Sequence, residues 1–112
     1  MSPSTVKEPV DNLVLSNTIR PGVVGWAKTL SREVARQGIT VNSIAPGRID
    51  TERIREVWPD GPTDADLATI PMRRLGTPRE VGDVVCFLAS DRASYVTGTL
   101  IQVDGGMIRS LL

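Results

Sequence analysis

The chain contains no histidine, so proton chemistry falls to hydroxyls, carboxylates, lysine and arginine, or to a bound cofactor. The commonest metal ligand is missing for the same reason, and no metal site is expected. The lone cysteine, Cys86, lies in a helical pattern off its apolar stripe and reads as a small packing residue. It excludes an internal disulfide and fits a reducing compartment. The stretch best suited to hold a ligand is Pro46-Gly47-Arg48-Ile49-Asp50-Thr51. It leaves an uncharged, β-branched run, and open parallel sheets bind ligands beyond the carboxyl ends of their strands.

The elements that must position this loop can be read on both sides of it. Val23, Ala27, Leu30 and Val34 are spaced 4, 3 and 4, which aligns them along one side of a helix over about 16–37, with Trp26 widening the stripe. Lys28, Arg32, Glu33, Arg36 and Gln37 take the other side. Asp11 or Asn12 is expected to cap this helix. Pro21 implies either a start near residue 20 or an earlier start with the proline inside, at a cost of roughly 3 kcal/mol if uncompensated. Gly38 ends the helix, and 39–45 reads as a strand covered on both faces.

Downstream, Thr51–Trp58 predicts a short helix capped by Asp50 or Thr51, and 64–69 a second. The whole of 51–76 is rich in turn residues and reads as a flexible, substrate-loop-like region, either a flap over the mouth of the site or an ordinary surface excursion. Thr77-Pro78-Arg79-Glu80 combines a threonine cap, proline at the first helical position and glutamate three after the cap. A helix over about 78–90 follows, with Val81, Val84, Val85 and Leu88 as its buried stripe and Phe87 at the edge. A last strand, about 99–103, stops at Asp104-Gly105-Gly106.

With 112 residues the chain has the size of one domain or part of one. Its 13 basic and 13 acidic residues are interspersed, which argues against a nucleic-acid or membrane-surface partner. The first dozen residues are polar and broken by Pro3 and Pro9, unlike a signal peptide, and no apolar run approaches the roughly 20 residues that span a bilayer. A cytoplasmic protein is expected.

The segments GVVGWAKTLSREVARQGITVNSIAPGRIDT and PMRRLGTPREVGDVVCFLASDRASYVTGTLIQVDGG resemble, in order and spacing, the C-terminal half of short-chain dehydrogenases/reductases, especially their 3-oxoacyl-carrier-protein reductase-like members. The resemblance implies an α/β fold: the C-terminal part of a Rossmann-type doubly wound parallel sheet, here two strands and two long helices in a single partial domain, 1–112. It implies NAD(P)-dependent hydride transfer to or from a small-molecule carbonyl or alcohol. Pro46, Gly47, Ile49 and Thr51 match the loop that passes the nicotinamide of NAD or NADP. Ile49 backbone and the Thr51 hydroxyl would hold the carboxamide.

Two departures stand beside these matches. No glycine-rich phosphate loop follows a strand in this sequence, so the N-terminal nucleotide-binding half is expected to be absent. The family's tyrosine and lysine, four residues apart, fall on Ser16 and Arg20. A serine hydroxyl is a far weaker acid than a phenol of pKa about 10, and arginine stays charged and cannot shuttle a proton. The family's carbonyl-polarising serine falls beside Pro3, with Ser4 the candidate. The expected state is a C-terminal fragment inactive in isolation, which forms a homo-oligomer or associates with an intact relative. The alternative is a non-catalytic remnant or oligomerisation module docking on such a relative.

Overall fold

A computed structural model of the chain describes Lys7 and residues 11–111. Among the described residues four α-helices and two strands follow in the order α1 (Val14–Val34), β1 (Ser43–Pro46), α2 (Glu52–Val57), α3 (Asp64–Ala68), α4 (Pro78–Leu88) and β2 (Leu100–Val103), with 3-10 turns at Ala35–Gln37, continuous with α1, and at Asp91–Ala93. The two strands are parallel, Ser43 opposite Leu100 and Pro46 opposite Val103. A parallel pair needs a long crossover, and the 53 residues between Pro46 and Leu100, which hold α2 to α4, provide it.

The helix α1 starts earlier than Pro21 and carries it inside. Its N-cap is Leu13, with no side-chain cap, so neither Asp11 nor Asn12 plays that part. Asn12 instead adopts a left-handed conformation, φ 62°, which turns the chain into the helix. Gly38 does end the helix, at φ 74°, its N–H donating to the Ala35 carbonyl.

The stripe expected on α1 is rotated. Ala27 and Ser31 are buried, whereas Val23 and Trp26 are exposed. The reason is the close approach of the helix to the segment before β2: Lys28 Nζ donates to the Gly98 carbonyl at 2.8 Å, and only small side chains fit at that contact.

Strand β1 begins at Ser43 rather than at residue 39. Residues 41 and 42 lie beside 96–99, but side chains enter the pairing. Val41 N–H donates to Thr97 Oγ1 (3.0 Å), while Asn42 donates to the Val96 carbonyl (3.0 Å) and accepts from Thr99 N–H (3.3 Å). Regular pairing starts only where Ser43 N–H reaches the Thr99 carbonyl at 2.9 Å.

The helix α4 opens on the expected capping box, Thr77 with Glu80. Its stripe is not buried: Val81, Val84 and Leu88 are half-covered, and Val85 and Phe87 are exposed. Two strands offer too little surface to cover it. The buried apolar residues among those described are Ala27, Ala45, Ile70, Ala93 and Ile108, small side chains for the most part.

Candidate functional site

The loop after β1 is held by the ends of both strands. Gly47 N–H donates to the Val103 carbonyl at 2.8 Å. A Cβ on Gly47 would lie 2.6 Å from Asp104 Cα, so this glycine is required by the packing of the two strand ends on each other. Asp104 in turn fixes the turn after β2, its carboxylate accepting from Gly106 N–H (2.9 Å) and Ile108 N–H (3.0 Å).

Beyond Gly47 the chain makes a parallel bridge, Ile49 opposite Gly76. Gly76 N–H donates to the Arg48 carbonyl (2.9 Å), and Asp50 N–H donates to the Gly76 carbonyl (2.8 Å). Both neighbours of Ile49 are thus committed to Gly76. The N–H and C=O of Ile49 itself take no partner among the described residues. Thr51 caps α2 by accepting from Ile54 N–H at 3.4 Å, which leaves its O–H available as a donor.

Around this loop lies a cavity of about 400 Å³, lined by Arg20, Pro46, Gly47, Ile49, Thr51, Ile54, Pro78 and Val81. The structure therefore brings Arg20 together with Pro46, Gly47, Ile49 and Thr51. Ser16 lies one helical turn before Arg20 on α1 and is not among the lining residues. Ser4 falls outside the described residues. Sequence reasoning did not place Ile54, Pro78 or Val81 in the wall; α2 and α4 bring them there with their caps, Thr51 and Thr77, next to the loop.

A second cavity, about 340 Å³, shares Ile49 and extends between Arg48, Met72, Arg74, Glu80, Gln102 and Asp104. Arg74 and Glu80 pair across it at 2.7 and 3.0 Å. The Arg74 guanidinium, with help from Thr77 N–H, holds the Glu80 carboxyl down to about 2. Asp50 is likewise held below the usual carboxylate range by Arg55, which it meets at 3.0 and 3.3 Å. Among the described residues no helix is long and apolar enough to cross a membrane.

Comparison with known proteins agrees with this fold. A family profile described as enoyl-(acyl carrier protein) reductase matches residues 2–108. The chain is 47% identical over 88 residues to the 3-oxoacyl-[acyl-carrier-protein] reductase FabG of Vibrio cholerae, covering 79% of this chain and 36% of that protein. To the enzyme of the same name from Pseudomonas aeruginosa it is 48% identical over 91 residues, 81% of this chain and again 36% of the relative. The chain thus spans little more than a third of the length of these curated relatives. Among solved structures it is similar to YwfH, an NADPH-dependent reductase involved in bacilysin biosynthesis, with a TM-score of 0.86, 33% identity, and coverage of 96% of this chain and 44% of that one. It is also similar to ElxO with NADP bound, with a TM-score of 0.85, 29% identity, and coverage of 97% and 45%. With a profile match over nearly its whole length and a parallel two-stranded α/β fold shared with these reductases, the chain belongs to the short-chain dehydrogenase/reductase family.

Proposed function

We propose that the cavity at the exit of β1 is the nicotinamide end of a dinucleotide site, and that this chain is the C-terminal part of an NAD(P)-dependent reductase of small carbonyl or alcohol substrates. One observation carries the reading. Ile49 offers an uncommitted N–H and C=O side by side, the complement of a carboxamide, which presents one acceptor and one amine donor. Thr51 adds a hydroxyl that can donate, and Arg20 a fixed cation suited to ribose hydroxyls or phosphate. Two relatives in the same fold are named for NADPH or NADP. The bound cofactor would supply the hydride; the residues of this chain bind and orient it.

Proton delivery is the weak point of the isolated chain. Ser16, at the position of the family's tyrosine, is a poor acid, and Arg20 cannot lower the barrier by losing its proton. The chain is therefore a binding part of a reductase, inactive by the usual route when alone. NMR of the isoleucine-labelled chain at millimolar NADPH tests the binding claim. The Ile49 amide should shift, while those of Ile39, Ile101 and Ile108 stay in place. An unmoved Ile49 signal removes the nicotinamide assignment.

A second reading, a module that docks on an intact relative, is favoured by the outer face of α1. Leu15, Ile19, Val23 and Trp26, spaced 4, 4 and 3, are 75%, 60%, 55% and 64% exposed. The nucleotide sequence upstream of the first codon separates the two. An in-frame strand, glycine-rich loop and helix there supports the reductase; stop codons favour the module.

A further inference from the structure

The bridge that orients Ile49 rests on a single residue. Gly76 N–H donates to the Arg48 carbonyl at 2.9 Å and the Gly76 carbonyl accepts from Asp50 N–H at 2.8 Å, so the chain on both sides of Ile49 is fixed by Gly76 alone. In a parallel pairing of this kind the bonds go to the residues flanking the opposite number, which points the N–H and C=O of that middle residue away from the bridge. The Arg48 side chain is engaged elsewhere, its Nη1 donating to the Asp66 carbonyl (3.3 Å) and Thr69 Oγ1 (3.2 Å) and its guanidinium lying 5.3 Å from the Trp58 ring centroid. Only the Arg48 backbone serves the bridge.

Gly76 is itself held from both flanks by one carboxylate. Arg74 donates to Glu80 through Nη2 (2.7 Å to Oε1) and Nη1 (3.0 Å to Oε2), and Thr77 N–H donates to the same Oε2 at 2.8 Å. Arg74 Nη1 also reaches the Leu75 carbonyl at 3.2 Å. Residues 74 and 77 are thus gathered on Glu80, with Gly76 between them. The turn needs such a hold, because Arg73 carries a Cβ and yet sits in the left-handed region at φ 58°. A Cβ on Gly76 would lie 2.8 Å from Ile49 Cδ1 and 3.6 Å from Glu80 Oε2, so the carboxylate and the Ile49 side chain meet at the same residue. Arg74, Gly76 and Glu80 line the second cavity and not the first, whereas Ile49 is common to both.

We propose that Arg74 and Glu80 are positioning residues for the cofactor site: the fork of Arg74 on the Glu80 carboxylate sets Gly76, and Gly76 sets the direction in which Ile49 presents its N–H and C=O. Neither side chain touches the nicotinamide, and their part rests on the reading of Ile49 as the partner of its carboxamide. Two parallel charge-assisted bonds suit the role because they fix an angle as well as a distance. A lysine at position 74 would keep the charge but act as a point charge without that direction. The paired side chains are 52% and 41% exposed, and an ion pair so placed adds little to global stability. Its effect is local to the bridge.

Amide hydrogen exchange of the ligand-free full chain, read residue by residue by NMR and followed by NADPH titration of the same variants, tests the proposal. Arg74→Ala removes the fork and leaves the Thr77–Glu80 cap in place. Exchange of the Gly76 and Asp50 amides should then rise about tenfold, while those of Glu80, Gly47 and Ser43 keep their protection. Thr77→Ala removes the cap hydroxyl and leaves the fork, so the Glu80 amide should loosen and the two bridge amides hold. Arg74→Lys should fall between Arg74→Ala and the parent. Adding Glu80→Gln to Arg74→Ala should change the bridge amides little further, since both remove one link. The NADPH dissociation constant should rise about tenfold in Arg74→Ala and less than about twofold in Thr77→Ala. Bridge amides of Arg74→Ala within about twofold of the parent overturn the proposal, and so does a rise shared by Gly47 and Ser43, which marks general loosening. A loosened bridge with an unchanged NADPH constant overturns it as well. A parent that leaves millimolar NADPH unbound overturns the nicotinamide reading instead, and the exchange pattern then still decides whether the pair sets the bridge.

Discussion

At the scale of single residues, what the sequence made legible was the loop, because its chemistry is local. A charge-free β-branched run, Pro46-Gly47 and Thr51 announce a strand end with backbone groups to spare. What it could not show is why Gly47 is a glycine, since the atom it must avoid, Asp104 Cα, is 57 positions away. Gly47→Ala should therefore cost about 1–3 kcal/mol of stability through backbone displacement rather than through any loss of ligand contact. Chemical denaturation checks this, and a change below about 0.5 kcal/mol would mean that the strand ends are not in close contact. Arg48 escaped notice for a similar reason. A charged residue in a loop reads as solvated, and its partners, Trp58, Asp66 and Thr69, carry no signal in sequence that they converge.

At the scale of elements, the most local signals survived intact. The box at Thr77 and Glu80 formed as read, and a second one, Thr63 with Asp66, formed where aspartate stands in for the usual glutamate. Strand limits and buried faces were less legible, because they depend on neighbours. Residues 39–42 have strand composition, but at 41 and 42 the side chains of Thr97 and Asn42 enter the pairing, beside one backbone bond from Gly98 N–H to the Val41 carbonyl.

The α4 cap also yields a pH dependence. Bonding to Arg74 and to Thr77 lowers the Glu80 carboxyl from 4.5 to about 2. A lowered carboxylate stabilises the fold above its ordinary value and loses that contribution as protons bind. Stability from this group is thus complete above about pH 4.5 and fades as pH falls toward about 2. Denaturation midpoints of the parent and Glu80→Gln should converge across that window; parallel curves from pH 6 to pH 2 would show that the cap carboxylate does not contribute.

At the scale of the whole molecule, the length of 112 residues suggests one domain or part of one, and the order of helix, strand and capped helix was legible. The incompleteness of the interior was legible only through the family resemblance. Two parallel strands cannot bury a sheet on both faces, and the result is exposed apolar surface on α1 and α4. On the proposed reading of the chain as the C-terminal part of a reductase, N-terminal strands and helices would cover part of this surface. The most direct measurement is an NADPH titration followed by Trp58 emission in the Trp26→Phe chain, alone and mixed with the N-terminal half of the Vibrio cholerae reductase. The expected result is a response that needs millimolar cofactor for the chain alone and at least about tenfold less for the mixture, with the two parts sedimenting together. A mixture that neither co-sediments nor responds more strongly than the chain by itself would contradict the assignment of this chain as one part of a dinucleotide-binding fold.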